Sequence, residues 1–178
     1  MKRLYKRILT VCLALMMTVV MAVPAFAAEY NTGVYELMPQ KYEGETRQYC
    51  LNVVGNHEVS QNRDVNIYTP TGDPDQKWNY TAGPDERKRM VSMLASQDYA
   101  LNVYYPSTGA MDLRCDIMQW ATNLKDSALT YGSEPYRAGV VRLYNYYDYV
   151  LAVKDIYNGA PAIWHRDGTS TYDYATSW

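Results

Sequence analysis

One phrase occurs three times in this chain, and its tyrosine falls at 49, 99 and 149. "YCLNV" occupies 49–53, "YALNV" 99–103 and "YVLAV" 149–153, so Leu51, Leu101 and Leu151 coincide, as do Val53, Val103 and Val153. Repetition at this spacing dictates the architecture, because each copy must find an equivalent place in a shared core. The alternation through Leu-Asn-Val is the period of a strand with one buried face. Upstream, "MVSML" (90–94) and "VVRLY" (140–144) precede the phrase at one offset, with "GVYELM" (33–38) as a looser counterpart. Downstream, "DVNIY" (64–68), "CDIMQW" (115–120) and "PAIWHR" (161–166) fall into register on Ile67, Ile117 and Ile163. A fourth short run closes each unit: "QKWNYT" (76–81), "SALTYG" (127–132) and "YATSW" (174–178).

The runs are separated by turn formers such as Thr71-Gly72-Asp73-Pro74 and Asn158-Gly159-Ala160-Pro161, so each unit reads as four short strands. "ERKRMVSMLA" is the one stretch that could be drawn as a helix, but its repeat partner "RAGVVRLYN" favours strand. Three such units (roughly 30–81, 88–132 and 138–178) give about twelve strands, whose edges stay exposed unless the sheet closes. A propeller usually has at least four blades, so the expected fold is all-β, a closed barrel of three four-stranded repeats with pseudo-threefold symmetry.

The first 27 residues stand outside this pattern. Lys2, Arg3, Lys6 and Arg7 form a basic head, 8–23 are apolar, and Ala25-Phe26-Ala27 offers small residues for cleavage, the signature of an export leader. The apolar run is shorter than the roughly 20 residues that cross a bilayer, and no later segment could span one. Residues 28–178 are then expected to form one secreted domain, large enough for a real core. Without the four basic residues of the head, thirteen of the seventeen Lys and Arg face nineteen Asp and Glu. A formal charge of about −6 argues against nucleic acid or an anionic membrane as partner. Cys50 and Cys115 remain; export permits a disulfide between them, and free buried thiols are the other reading. Tyrosine is abundant, nineteen against a single phenylalanine. Its apolar ring and polar tip suit both half-buried sheet faces and surfaces that bind polar, ring-shaped ligands.

These motifs resemble those of the ricin B-chain-like lectins, whose fold is the β-trefoil. Their repeat runs C-L-x-V, a Gly-containing loop, I-x-[LI]-W and Q-x-W. The first unit here has Cys50-Leu51-Asn52-Val53, Val65-Asn66-Ile67-Tyr68 and Gln76-Lys77-Trp78; the third has Tyr157-Asn158-Gly159, Ala162-Ile163-Trp164 and Thr176-Ser177-Trp178. The second keeps the spacing but has Leu129 for the closing tryptophan. A β-prism is also threefold, but gives no reason for these motifs.

A sugar presents a face of C–H bonds and a rim of hydroxyls, so its pocket needs an aromatic ring and a fixed polar side chain. The resemblance implies such a pocket in each unit: Asn52, Tyr68, Asp75 and Gln76 in the first; Asn102 in the second, with Met118 at the platform position and Trp120 as its substitute; Trp164 in the third. Asn52 and Asn102 stand where the family has an aspartate, and a neutral partner makes a weaker hydrogen bond than a charged one. Ala152 takes that place in the third unit, leaving the polar role to Asp155, Asn158 or His165. The same residues also have a packing role open to them: Gln76 as a turn clamp, Tyr68 and Trp164 as lids over the core. Trp78 and Trp178 read as core.

Other chemistry finds little support. His165-Arg166-Asp167 matches a kinase catalytic-loop tripeptide without the rest of the kinase set. His57 and His165 are the only histidines and show no metal or triad spacing. Asn79-Tyr80-Thr81 is a glycosylation sequon beside the core Trp78 and reads as strand. The expectation is a secreted, non-enzymatic carbohydrate-binding module with up to three shallow sites, needing no cofactor or metal and taking a glycan or polysaccharide as partner. The alternative is a protein-interaction or inhibitor module on the same fold that has lost its sugar sites.

Overall fold

A computed structural model describes residues 32–41, 45–55, 57, 60–94, 97–104, 109–121, 124–133, 140–166 and 174–178. The leader at 1–27 and Asp167 lie outside them. The described residues form eleven strands: β1 (Gly33–Tyr35), β2 (Cys50–Val53), β3 (Arg63–Tyr68), β4 (Trp78–Ala82), β5 (Lys88–Ser92), β6 (Tyr99–Tyr104), β7 (Asp112–Gln119), β8 (Leu129–Ser133), β9 (Val141–Asn145), β10 (Tyr149–Val153) and β11 (Ala162–Arg166). The twelfth run, 174–178, takes part through the bridge of Ala175 to Val153 and that of Ser177 to Gln40. The stretch that could be drawn as a helix is strand β5, and one 3-10 turn (Pro74–Gln76) precedes β4.

Two layers result. Strands β1, β4, β5, β8 and β9 pair side by side in that order. The ring then closes: Val141 exchanges backbone hydrogen bonds of 3.0 and 2.9 Å with Trp178, and the Gln40 amide donates to the Ser177 carbonyl at 2.8 Å. No open edge is left between first and last units, which is how a sheet this size avoids exposing unpaired strands. The hairpins β2–β3, β6–β7 and β10–β11 form the second layer, with β7 paired to both β3 and β11, and Asn66 of β3 bridged to Pro161 beside β11. This is the closed, threefold all-β body that the repeat requires.

The register explains the repeated phrase. Leu51 pairs with Ile67, Leu101 with Ile117 and Leu151 with Trp164, and all six are wholly buried. The two closing tryptophans repeat one hydrogen bond: the Trp78 indole donates to the Leu51 carbonyl at 3.0 Å, and the Trp178 indole to that of Leu151 at 2.9 Å. In the second unit, where Leu129 replaces the tryptophan, the indole comes from Trp164 and reaches the Asn102 carbonyl at 2.9 Å.

One expectation is corrected by this pairing. Ile163 does not share the position of Ile67 and Ile117; Trp164 does. A slip of one residue exchanges the two faces of a strand, so it moves Trp164 from the outside to the core. Cys50 and Cys115 are both buried and free, and burial pushes the Cys50 thiol up to about 11 and that of Cys115 well above its ordinary value.

Candidate functional site

In the first unit the β2–β3 register sets Asn52 opposite Asn66 and leaves Tyr68, the last residue of β3, with 42% of its surface exposed. Pro74 starts the 3-10 turn, which carries Asp75 and Gln76 inward. Gln76 spends its amide on the loop before it: its oxygen accepts from the Thr71 amide at 2.7 Å, the Thr71 hydroxyl at 3.1 Å and the Gly72 amide at 3.3 Å, while Nε2 donates to the Thr69 carbonyl at 3.0 Å. Gln76 is therefore the clamp that shapes the hollow rather than a group left to meet a ligand. Beside it opens a hollow of about 300 Å³ walled by Asn52, Asn66, Tyr68, Asp73, Asp75 and His57, at the lower end of the range for small-ligand sites.

Asn52 donates through Nδ2 to the Val53 carbonyl at 3.0 Å and to Asn66 Oδ1 at 2.9 Å, and its own Oδ1 accepts nothing among the described residues. Asp75 Oδ2 lies 3.5 Å from His57 Nδ1, its Oδ1 is buried without a partner, and burial raises the carboxyl above its ordinary value. Three of the four residues expected here (Asn52, Tyr68, Asp75) thus meet at one hollow, with the fourth shaping it. Asn66, Asp73 and His57 were not foreseen; Asn66 was legible as the cross-strand partner of Asn52.

The second unit is closed. Asn102 and Asp116 stand where Asn52 and Asn66 stand in the first, but both are buried, and Asn102 Nδ2 donates to Asp116 Oδ1 at 2.8 Å. Asn102 Oδ1 and Asp116 Oδ2 are each left unpartnered, and burial pushes the Asp116 carboxyl up to about 6. Trp120 is half-buried, and the Arg89 guanidinium lies 5.7 Å from its ring centroid. Asn102 therefore faces a carboxylate in the interior and is unavailable to a sugar.

The buried carboxyl gives a signed pH effect. Its unfolded value is near 3.8 and its folded value about 6. The folded state thus holds the extra proton, and stability is highest below the lower value and falls as pH rises through the upper one. Asp116→Asn retains the acceptor for Asn102 Nδ2 and supplies a neutral donor for its Oδ1. The variant is expected to match the parent near pH 4 and to exceed it by roughly 2–3 kcal/mol at pH 7. Urea unfolding at several pH values checks this; a variant no more stable at pH 7 than at pH 4, relative to the parent, contradicts it.

The third unit differs again. Trp164 is wholly buried and offers no face to a ligand, so its expected platform role is corrected to core packing. His165 occupies the position of Tyr68, but it is 1% exposed, with Nδ1 2.7 Å from Asp112 Oδ1 and its ring stacked 3.9 Å from that of Tyr174. The outward position is thus capped, and His165 cannot serve as an open polar contact. Asn158 Oδ1 accepts from the Thr69 amide at 2.9 Å and the Thr69 hydroxyl at 3.2 Å, tying the third unit's loop to the first unit. Asp155 is exposed and lines a smaller hollow of about 210 Å³ with Tyr157, Lys154 and Asp112. Tyr157, 53% exposed, is the aromatic of that hollow, where the sequence places only a loop residue.

No protein-family description matches the chain, and no curated protein matches it in sequence. Solved structures do match in fold. A designed threefold-symmetric protein, ThreeFoil, has a TM-score of 0.63 at 17% identity, over 81% of this chain and 96% of that one. A mosquitocidal holotoxin has a TM-score of 0.61 at 14% identity, over 83% of this chain and 17% of that one. The β-trefoil lectin of the Vibrio vulnificus hemolysin/cytolysin, solved with N-acetyl-D-lactosamine bound, has a TM-score of 0.53 at 15% identity, over 80% of this chain and 92% of that one. The chain has the β-trefoil fold.

Proposed function

We propose that the protein is an exported carbohydrate-binding trefoil, non-enzymatic, that seats one sugar residue of a glycan in the first-unit hollow. The observation that carries this reading is the convergence of Tyr68, Asn52 and Asp75 on one concave site. Tyr68 supplies an exposed ring for the C–H face of a sugar, and the Asn52 amide oxygen and the Asp75 carboxyl, through Oδ2, supply acceptors for its hydroxyls. The Vibrio lectin, of the same fold, was solved with a disaccharide bound, which supports the reading. The basic head and apolar core of residues 1–23 support export. With the second unit closed and the third altered, binding is essentially monovalent, so avidity would come from other copies or domains rather than from three sites on one body.

A glycan panel with insoluble polysaccharides tests this, run beside Tyr68→Ala. Retention on at least one glycan is expected, with about a tenfold loss in Tyr68→Ala, the equivalent of roughly 1.4 kcal/mol. Because Tyr68 is an exposed strand-end residue, the variant's unfolding free energy should change by no more than about 0.5 kcal/mol. Silence of the parent across the panel would overturn the reading in favour of a protein-binding trefoil.

A further inference from the structure

We propose that the first-unit hollow selects sugars bearing a free ammonium group, the 2-amino sugars, over their N-acetylated and acidic counterparts. This rests on the sugar-binding reading above and adds the ligand's charge to it.

The argument is a count of donors and acceptors still available to a guest. Asn52 Nδ2 is committed to Val53 and Asn66, and Gln76 Nε2 to Thr69. The Arg63 guanidinium packs against Gly55 and donates to the Val54 carbonyl at 2.9 Å and to Ser60 Oγ at 2.8 Å, so it is engaged with the backbone of the wall and does not itself line the hollow. Among the described residues, no lysine or arginine lines the hollow. The acceptors, in contrast, are unspent. Asp75 is 8% exposed, with Oδ1 buried without a partner and Oδ2 3.5 Å from His57, Asp73 makes no side-chain hydrogen bond among the described residues, and Asn52 Oδ1 is unmet among them. His57, the one basic side chain among the described residues of the wall, is exposed and 3.5 Å from Asp75, too long for a strong hydrogen bond.

A hollow rich in unmet carboxylate oxygens and poor in donors favours a guest that brings donors and positive charge. An ammonium offers three donors, and hydrogen bonds between ionised partners are about twice as strong as neutral ones. The same group gains from the face of Tyr68. An acetamide replaces that charge with a neutral amide, and a uronic acid adds a carboxylate against Asp73 and Asp75. The burial that raises the Asp75 carboxyl is the cost an ammonium partner relieves.

Calorimetric titration of the protein near pH 6, where the sugar amine is mostly protonated, with three tetrasaccharides tests the proposal: β-1,4-linked glucosamine, its N-acetylated form, and α-1,4-linked galacturonate. The glucosamine tetramer is expected to bind about tenfold more tightly than the acetylated one, with galacturonate weakest. Asp75→Asn and Asp73→Asn should each bring the ratio towards one, while Asp148→Asn, at an exposed turn outside the hollow, should leave it unchanged. If Asp75→Asn fails to fold, the half-exposed Asp73 carries the test. Equal or tighter binding of the acetylated tetramer, lost in Tyr68→Ala, would overturn the ammonium preference and leave sugar binding standing. A preference that survives both hollow variants, or falls with Asp148→Asn, would assign it to the acidic surface at large and overturn the proposal. No binding of any tetramer, with silence on the glycan panel, would remove both.

Discussion

Trp164→Ala is expected to destabilise the fold by about 3–5 kcal/mol, enough to unfold a marginal domain at ordinary temperature. The ring is wholly buried opposite Leu151, so truncation empties a large volume where β10 and β11 pack. It also strands the Asn102 carbonyl, whose indole donor sits 2.9 Å away, and a buried acceptor left unmet costs a further 1–3 kcal/mol or so. Urea unfolding followed by tryptophan fluorescence and far-ultraviolet dichroism reads the effect. A variant with near-parental stability that loses sugar binding would return Trp164 to the role of a platform and contradict the register described above. Tyr68→Ala is the matched control, since it should show the opposite pattern.

Arg89→Ala is expected to cost a similar amount, about 3–5 kcal/mol, for an electrostatic reason. In the first unit Gln76 clamps the loop before the closing strand; in the second the corresponding residue is Ser127, too short to do so. Arg89 takes over. Its guanidinium is wholly buried and donates to Asp85 at 2.7 Å, to the carbonyls of Arg87 and Leu124 at 2.9 Å each, and to Ser127 Oγ at 3.2 Å. The hydrogen bond from Arg89 holds the Asp85 carboxyl below its ordinary value. Truncation would take the guanidinium from the Asp85 carboxylate and leave the Leu124 carbonyl without a donor among the described residues, while the Arg87 carbonyl keeps the Gly83 amide at 2.8 Å. Gly83 makes room for the arrangement, since a Cβ there would overlap Arg89 Nη1. Arg89→Lys retains the charge but cannot reproduce the fork, so it should recover only part of the loss. Chemical unfolding of both variants checks the ranking; an alanine variant within about 1 kcal/mol of the parent would show that water replaces the guanidinium.

Much of this was legible in the sequence because symmetry constrains it. Leu51, Leu101 and Leu151 identify three equivalent strands, and Trp78 and Trp178 sit in equivalent slots because their indoles need the same carbonyl. What periodicity could not supply was the loop length between β10 and β11. Both Ile163 and Trp164 are apolar and fit an inward position, and only cross-strand pairing decides which faces the core. The second unit misled for a related reason. Asn102 matches Asn52 in type, but its cross-strand partner is Asp116 instead of Asn66, and burial of that pair depends on tertiary packing. Arg89 ends the five-residue charge run 85–89, yet it is wholly buried because its partners at 85, 124 and 127 come together only in the fold.

We propose that a sugar binds in one hollow of this trefoil, bounded by Asn52, Tyr68 and Asp75. Amide chemical shifts recorded during titration with the best-retained glycan of the panel test it most directly. Perturbations are predicted at Asn52, Val54, Gly55, Asn66, Tyr68 and Thr71, with Asn102, Asp116 and Trp164 unmoved. Saturable shifts centred instead on Asp155 and Tyr157, with residues 52–76 silent, would contradict it.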